Sequence, residues 1–178
     1  MQHYSESAGG ILMPENKLIV AGRWDGEIVR DGKVIDQFSC PNIVVNEGLN
    51  ALLGIMFNAA TQVTTWYCGL FEANYTPVAG VTAATITSAS TETTAYDEAT
   101  RVAYVEAAPA SQSITNSASR ATFTFNATKT IYGAFLVSNN TKSGTTGTLF
   151  SAAKFATAKS VVDDDQLLLT YTFTAASA

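Results

Sequence analysis

Residues 161–175 read VVDDDQLLLTYTFTA. Apolar side chains fall on alternate positions, Leu167, Leu169, Tyr171 and Phe173, with Thr170, Thr172 and Thr174 between them. Successive side chains of a strand point to opposite faces, so this is a half-buried β-strand with a core face and a hydroxyl face. The aspartates before it raise a second question, because carboxylates on a loop are what a calcium ion takes. The run lacks the spaced D-x-D-x-D-G pattern that wraps one ion, and consecutive carboxylates diverge. It reads as a solvated turn leading into the strand, its side chains bonding nearby amides.

Working back along the chain, the same strand signals recur. KTIYGAFLVS (129–138) and TTWYCGLFE (64–72) are apolar on both faces, which places them centrally in a sheet. In the second, Trp66, Cys68 and Leu70 share one side and Tyr67, Gly69 and Phe71 the other. Ala121, Phe123 and Phe125 alternate with threonines, and GTLFSAAKF (147–155) reads as an edge strand or strand plus loop. Lys17 to Cys40 reads as a long hairpin around Asp31-Gly32, a dipeptide suited to a type I′ turn, with Ile28 opposite Ile35; a turn at Asp25-Gly26 is the alternative. One helix is expected at about 46–58, with Asn46 as its cap and Leu49, Leu52, Leu53 and Met56 on one face. Residues 73–99, rich in Thr, Ala and Ser, carry weak strand signals. Short strands between turns, with one early helix, predict a mainly β fold: a jelly-roll-like or Greek-key β-sandwich with an inserted α-helix. Residues 1–16 are expected to form an extended arm and 17–178 a single domain.

Composition narrows the function. A net charge of −5 and the absence of any Lys/Arg cluster argue against nucleic-acid binding. No segment approaches the ~20 apolar residues of a membrane span, and the first residues lack a secretory pattern, so synthesis in a cytoplasm and reduced thiols are expected. Cys40 and Cys68 have no CxxC spacing and no companion histidines. The single histidine, His3, sits in the arm, where a catalytic triad is rarely held. Asp97 and Glu98 are adjacent, so in a strand they would point apart, and Arg101 is placed for a local ion pair with them. No catalytic residue, metal site or cofactor is expected, and the chain is not read as an enzyme. Charged residues are only 14% of the chain, and such a lightly charged surface suits a protein covered by neighbours.

Five stretches taken together, IVVNEGLNALLGIMFN (43–58), TTWYCGLFEANYTP (64–77), AYDEATRVAY (95–104), KTIYGAFLVSN (129–139) and the closing VVDDDQLLLTYTFTA, resemble a recurrent group of virion structural proteins of tailed bacteriophages. The resemblance spans about Ile43 to Ala175 and lies in order and spacing. Where such sequences often have Gly-Asp before the last strand, this one has Asp164-Asp165. It implies a β-sandwich on a phage particle, most like a capsid decoration or cement protein bound outside the head across joints of the major capsid protein. Tail, neck and fibre-base components share that vocabulary, and a carbohydrate-binding module using Trp24 and the tyrosines is a further alternative. The expected partners are the major capsid protein and further copies of this chain, as a dimer or trimer, with no nucleic acid and no membrane. The expected contact residues are Ile11 and Met13 of the arm, Trp24 and Ile28 of the hairpin, and Tyr96 and Arg101 of the loop around 96–101.

Overall fold

A computed structural model describes residues 4–6, 12–14 and 18–177, with side chains from Leu18 onward. In the arm, β1 (Tyr4–Glu6) and β2 (Leu12–Pro14) pair antiparallel, with Ser5 opposite Met13. Ile11 and His3 lie outside the described residues.

The rest is built from two antiparallel sheets. The first joins β3 (Leu18–Arg30), β4 (Lys33–Pro41) and β12 (Gln166–Ser177), with β8 (Ser113–Thr115) and β9 (Ala121–Thr124) successively along the far side of β12. The second has the order β5 (Ile43–Val44), β11 (Leu149–Val161), β10 (Lys129–Val137), β6 (Trp66–Phe71), β7 (Val102–Tyr104). Alternation in the closing strand decides the packing as the sequence predicts. Leu167, Leu169 and Tyr171 enter a core shared with Trp24 and Ile28 of β3 and with Leu70, Leu136 and Phe155 of the opposite sheet. The two sheets therefore face each other across one apolar layer.

The hairpin turns at Asp31-Gly32, both at positive φ, as a type I′ turn demands. Its register departs from expectation: a bulge after Ile28 sets that residue opposite Asp36, and Ile35 is left exposed. The segment read as an edge strand is the thirteen-residue β11, paired on both sides, because its Ser151–Ala152 stretch also receives β5.

The second sheet is apolar on both faces, as TTWYCGLFE and KTIYGAFLVS predict. Its outer face carries Phe71, Phe135 and Val137. Gly69 lies opposite Phe135 and Gly133 opposite Phe71, so each phenyl ring lies across the facing glycine where a Cβ would collide with it. A second helix, α2 (Ala83–Ser90), covers this face with Ala83 and Ile86. The sequence reading missed it because AATITSAS is short and made largely of weak helix formers. Thr82 and Thr85 form a capping box at its start.

The first helix, α1 (Asn46–Phe57), forms where expected but is turned on its axis. Val45, rather than Asn46, is the N-cap. The face against the sheet is Gly48 with half-buried Leu49, Leu52 and Ile55, whereas Leu53 and Met56 of the expected core stripe are exposed. Gly48 sits against the backbone of Phe150, leaving no space for a Cβ. Glu47 ties the helix down by accepting hydrogen bonds from the amides of Ala83 (2.8 Å) and Leu149 (2.7 Å).

Gly48→Ala is expected to destabilise the protein by about 2 kcal/mol in urea denaturation, since backbone must move to admit the methyl group. Gly54→Ala, in the same helix but beside exposed Ala60, should instead stabilise it by roughly 0.5 kcal/mol.

Candidate functional site

The side chains expected to meet a partner are mostly interior. Trp24 and Ile28 lie on the inward face of β3, Trp24 stacked at 4.6 Å on Tyr171. Their neighbours Asp25 and Glu27 point the other way, because β3 runs between β4 and β12 and has one face in the core. Tyr96 is buried edge-on against Phe123 at 5.0 Å, and Arg101 is buried too. These four are corrected from contact residues to structural ones. Ile11 lies outside the described residues, and Met13 is described by its backbone alone.

Arg101 does not pair with Asp97 or Glu98. Its Nε and Nη2 donate to the two carboxylate oxygens of Glu92 at 2.8 and 2.7 Å, with both side chains essentially inaccessible to water. The guanidinium also donates to the carbonyls of Asn139 and Gly144, and Glu92 accepts from the Ser143 amide. Every charge in this pair is thus bonded, the condition under which a buried ion pair is tolerated. The pair fastens the loop 139–144 to the segment leading into β7. Lys142, from that loop, lies 3.8 Å from the centre of the Tyr96 ring and donates to the Tyr96 carbonyl at 2.7 Å. Glu98 accepts from the Thr124 amide. What reads in sequence as a charged contact loop is a closed internal knot, and its key partner, Glu92, stands nine residues from Arg101 with no helical spacing to reveal it.

The aspartate run divides in the same way. Asp163 and Asp164 are exposed in the turn, with Asp164 at φ +67°. Asp165, expected to be solvated, is buried: Arg30 donates to both its oxygens at 2.7 Å, and the Val162 amide adds a third bond at 2.8 Å. The guanidinium holds the Asp165 carboxyl below the usual carboxylate range, against the opposing effect of burial. Among the described residues no three His, Cys, Asp or Glu side chains come together as a metal site. Cys40 and Cys68 are free, buried thiols; burial pushes Cys40 up to about 11 and Cys68 higher still, so neither is a ready nucleophile at neutral pH.

Two surface features remain. The first is apolar: at the end of α1, Leu53, Met56 and Phe57 are 53%, 65% and 81% exposed. Apolar side chains are exposed to a similar degree in pairs at Leu18 and Ile19, where β3 begins, and at Val34 and Ile35 beside the hairpin turn. The second is a cleft at one end of the sandwich, lined by Trp66, Tyr104, Phe150 and Phe173 with Gln62 and Glu106. Sequence reasoning treated the α1 stripe as core; Gly48, marking a close approach on another face, was the available sign that the helix is turned. No helix among the described residues is long and apolar enough to cross a membrane. No protein-family model matches the chain, and no curated protein matches it in sequence.

Arg101→Met is expected to destabilise the fold by about 3–5 kcal/mol, because it strands the Glu92 carboxylate in the core. Adding Glu92→Gln should recover part of that loss, and a double-mutant cycle by chemical denaturation measures the coupling. For Asp165 the sign follows from its lowered pKa: its stabilisation is present above the unfolded-state value near 3.8 and disappears as pH falls through the folded-state value. The stability gap between the native protein and Asp165→Asn should therefore be full at pH 7 and shrink below about pH 4 in urea melts.

Proposed function

We propose that this chain is a decoration (cement) protein of a tailed-phage head, bound outside the capsid across joints between major capsid subunits. The observation that carries the reading is the uncovered end of α1. Three large apolar side chains in five consecutive positions, 53–57, stand in water while Gly48 and half-buried Leu49, Leu52 and Ile55 of the same helix face the sheet. Contiguous exposed apolar surface of this kind marks an interaction site. The resemblance of five stretches to virion structural proteins supplies the kind of partner. In this reading the fold is jelly-roll-like or Greek-key, and the chain has no enzymatic role.

The physical mechanism is summation. Each contact at Leu53, Met56 and Phe57 is small, but a subunit that touches several capsid subunits at once holds them together through effective concentration rather than one strong interface. Self-association as a dimer or trimer would add to it. The start of β3 beyond its pairing with β4 leaves Leu18 and Ile19 exposed beside a strand edge that is unpaired among the described residues, and such edges are where copies join.

The test uses heads assembled without this chain. Added wild-type protein should bind in hundreds of copies and raise the resistance of the heads to heat and osmotic shock. Met56→Ser/Phe57→Ser should bind at least tenfold more weakly, a change of about 1.4 kcal/mol, with its own melting temperature nearly unchanged because both side chains are exposed. Binding of only a few copies, at the neck or tail, would move the protein to another part of the particle. Equal heat and shock resistance with and without the chain would remove the cement role.

A further inference from the structure

The cleft at the open end of the sandwich has a composition unlike the rest of the surface. Trp66 of β6, Phe150 of β11 and Phe173 of β12 run along it edge to face, at 5.4 and 5.2 Å between ring centres, and each is only half-buried. Tyr104 and Tyr171 form its floor, with the Tyr104 hydroxyl donating to the Tyr171 carbonyl at 3.3 Å. The polar side chains at the rim are Gln62 and Glu106, both exposed, and among the described residues Glu106 has no ion-pair partner. Burial raises the Tyr104 hydroxyl, with Tyr171, Cys68 and last Glu106 adding to it.

We infer that this cleft is a docking site for one basic side chain, arginine above all, presented by a loop of a partner protein. Three observations choose this occupant. Aromatic rings attract a cation through their quadrupole, and guanidinium also stacks on them. The Glu106 carboxylate, without an ion-pair partner among the described residues, supplies the complementary charge, on a chain whose net charge is −5. Size argues against a larger ligand: the cleft holds about 160 Å³, well under the roughly 300–1,000 Å³ typical of small-molecule sites. A sugar ring also needs a hydrogen-bonding partner for most of its hydroxyls, and the rim offers two side chains. Because the cleft is open, a free small molecule would be little buried there, whereas a side chain anchored by its own backbone arrives with its neighbours already making contact. The inference does not rest on the capsid reading, since any partner with an exposed arginine fits it.

The experiment titrates the full chain with N-acetyl-arginine amide and, separately, with its citrulline counterpart, which keeps the shape and removes the charge. Binding is followed through the indole resonance of Trp66, distinguished from that of buried Trp24 by its solvent exposure. Arginine amide should shift the Trp66 signal with a dissociation constant on the order of 1–10 mM, at least fivefold tighter than citrulline. Glu106→Gln, a change at an exposed position, should weaken arginine binding at least twofold toward the citrulline level, the aromatic rings keeping part of the preference, and high salt should weaken wild-type binding. No shift with arginine up to tens of millimolar, equal binding of the two probes, or binding unaffected by Glu106→Gln would overturn the inference. Tighter binding of methyl glucoside than of arginine amide would overturn it in favour of a sugar subsite. A capsid that still binds Glu106→Gln fully would leave the cement proposal standing, so the two fail separately.

Discussion

Strands β6 and β10 are apolar on both faces, and a sheet of that kind has to be covered twice. The first cover is the other sheet, brought in by Leu167, Leu169 and Tyr171. The second is not a sheet at all but the stretch from Glu72 to Arg101, which lays α2 across Phe71 and Phe135 and then returns to the edge as β7. Largely irregular chain over an apolar face has many backbone groups to satisfy and little regular bonding with which to do it. That backbone bonds to itself and to the sheet, Glu72 to Thr91, Ala73 to Ser90 and Thr93 to Leu70. The buried Glu92–Arg101 pair then ties the loop 139–144 to the cover through Asn139, Ser143 and Gly144, so one ionic knot joins two irregular segments that the ladder bonds do not reach.

The close fit beneath that cover is made by alternating size. Phe135 lies over Gly69 and Phe71 over Gly133, so two large rings occupy space that two side chains have vacated on the neighbouring strand. The helix α1 uses the same device once, at Gly48. That single approach decides which residues of the helix meet the sheet, and by subtraction which are left at the surface for another molecule.

The parts legible in the sequence are those governed by a two-residue period. The closing strand, the two-faced strands β6 and β10, and the Asp31-Gly32 turn follow from patterns of side-chain size and polarity alone. The bulge after Ile28 and the rotation of α1 do not, because each depends on a contact with a residue far away in the chain. Arg101 and Tyr96 looked like surface groups for the same reason: a charged loop reads as solvated until its counter-ion is found, and Glu92 is not at a distance in sequence that any local rule connects. Asp165 differs from Asp163 and Asp164 in turning inward to Arg30 and the Val162 amide, which no reading of three identical letters can show. The cleft is assembled from β6, β11 and β12, so no single stretch carried its signature.

The Arg30–Asp165 bond joins residues 135 positions apart, and β3 and β12 run beside each other from that point for twelve residues. During synthesis, β3 and its hairpin partner β4 emerge long before the opposite sheet that covers their inner apolar face is complete and before β12 fills the open edge of β3. For that interval Trp24, Ile28 and Cys40 are held by a two-stranded ribbon, which is marginal by itself in water. Closing so long a loop is entropically slow, and an unpaired edge invites other chains meanwhile. The longest ladder of the sandwich is therefore also the last that synthesis makes available, and until then β3 has only β4 beside it.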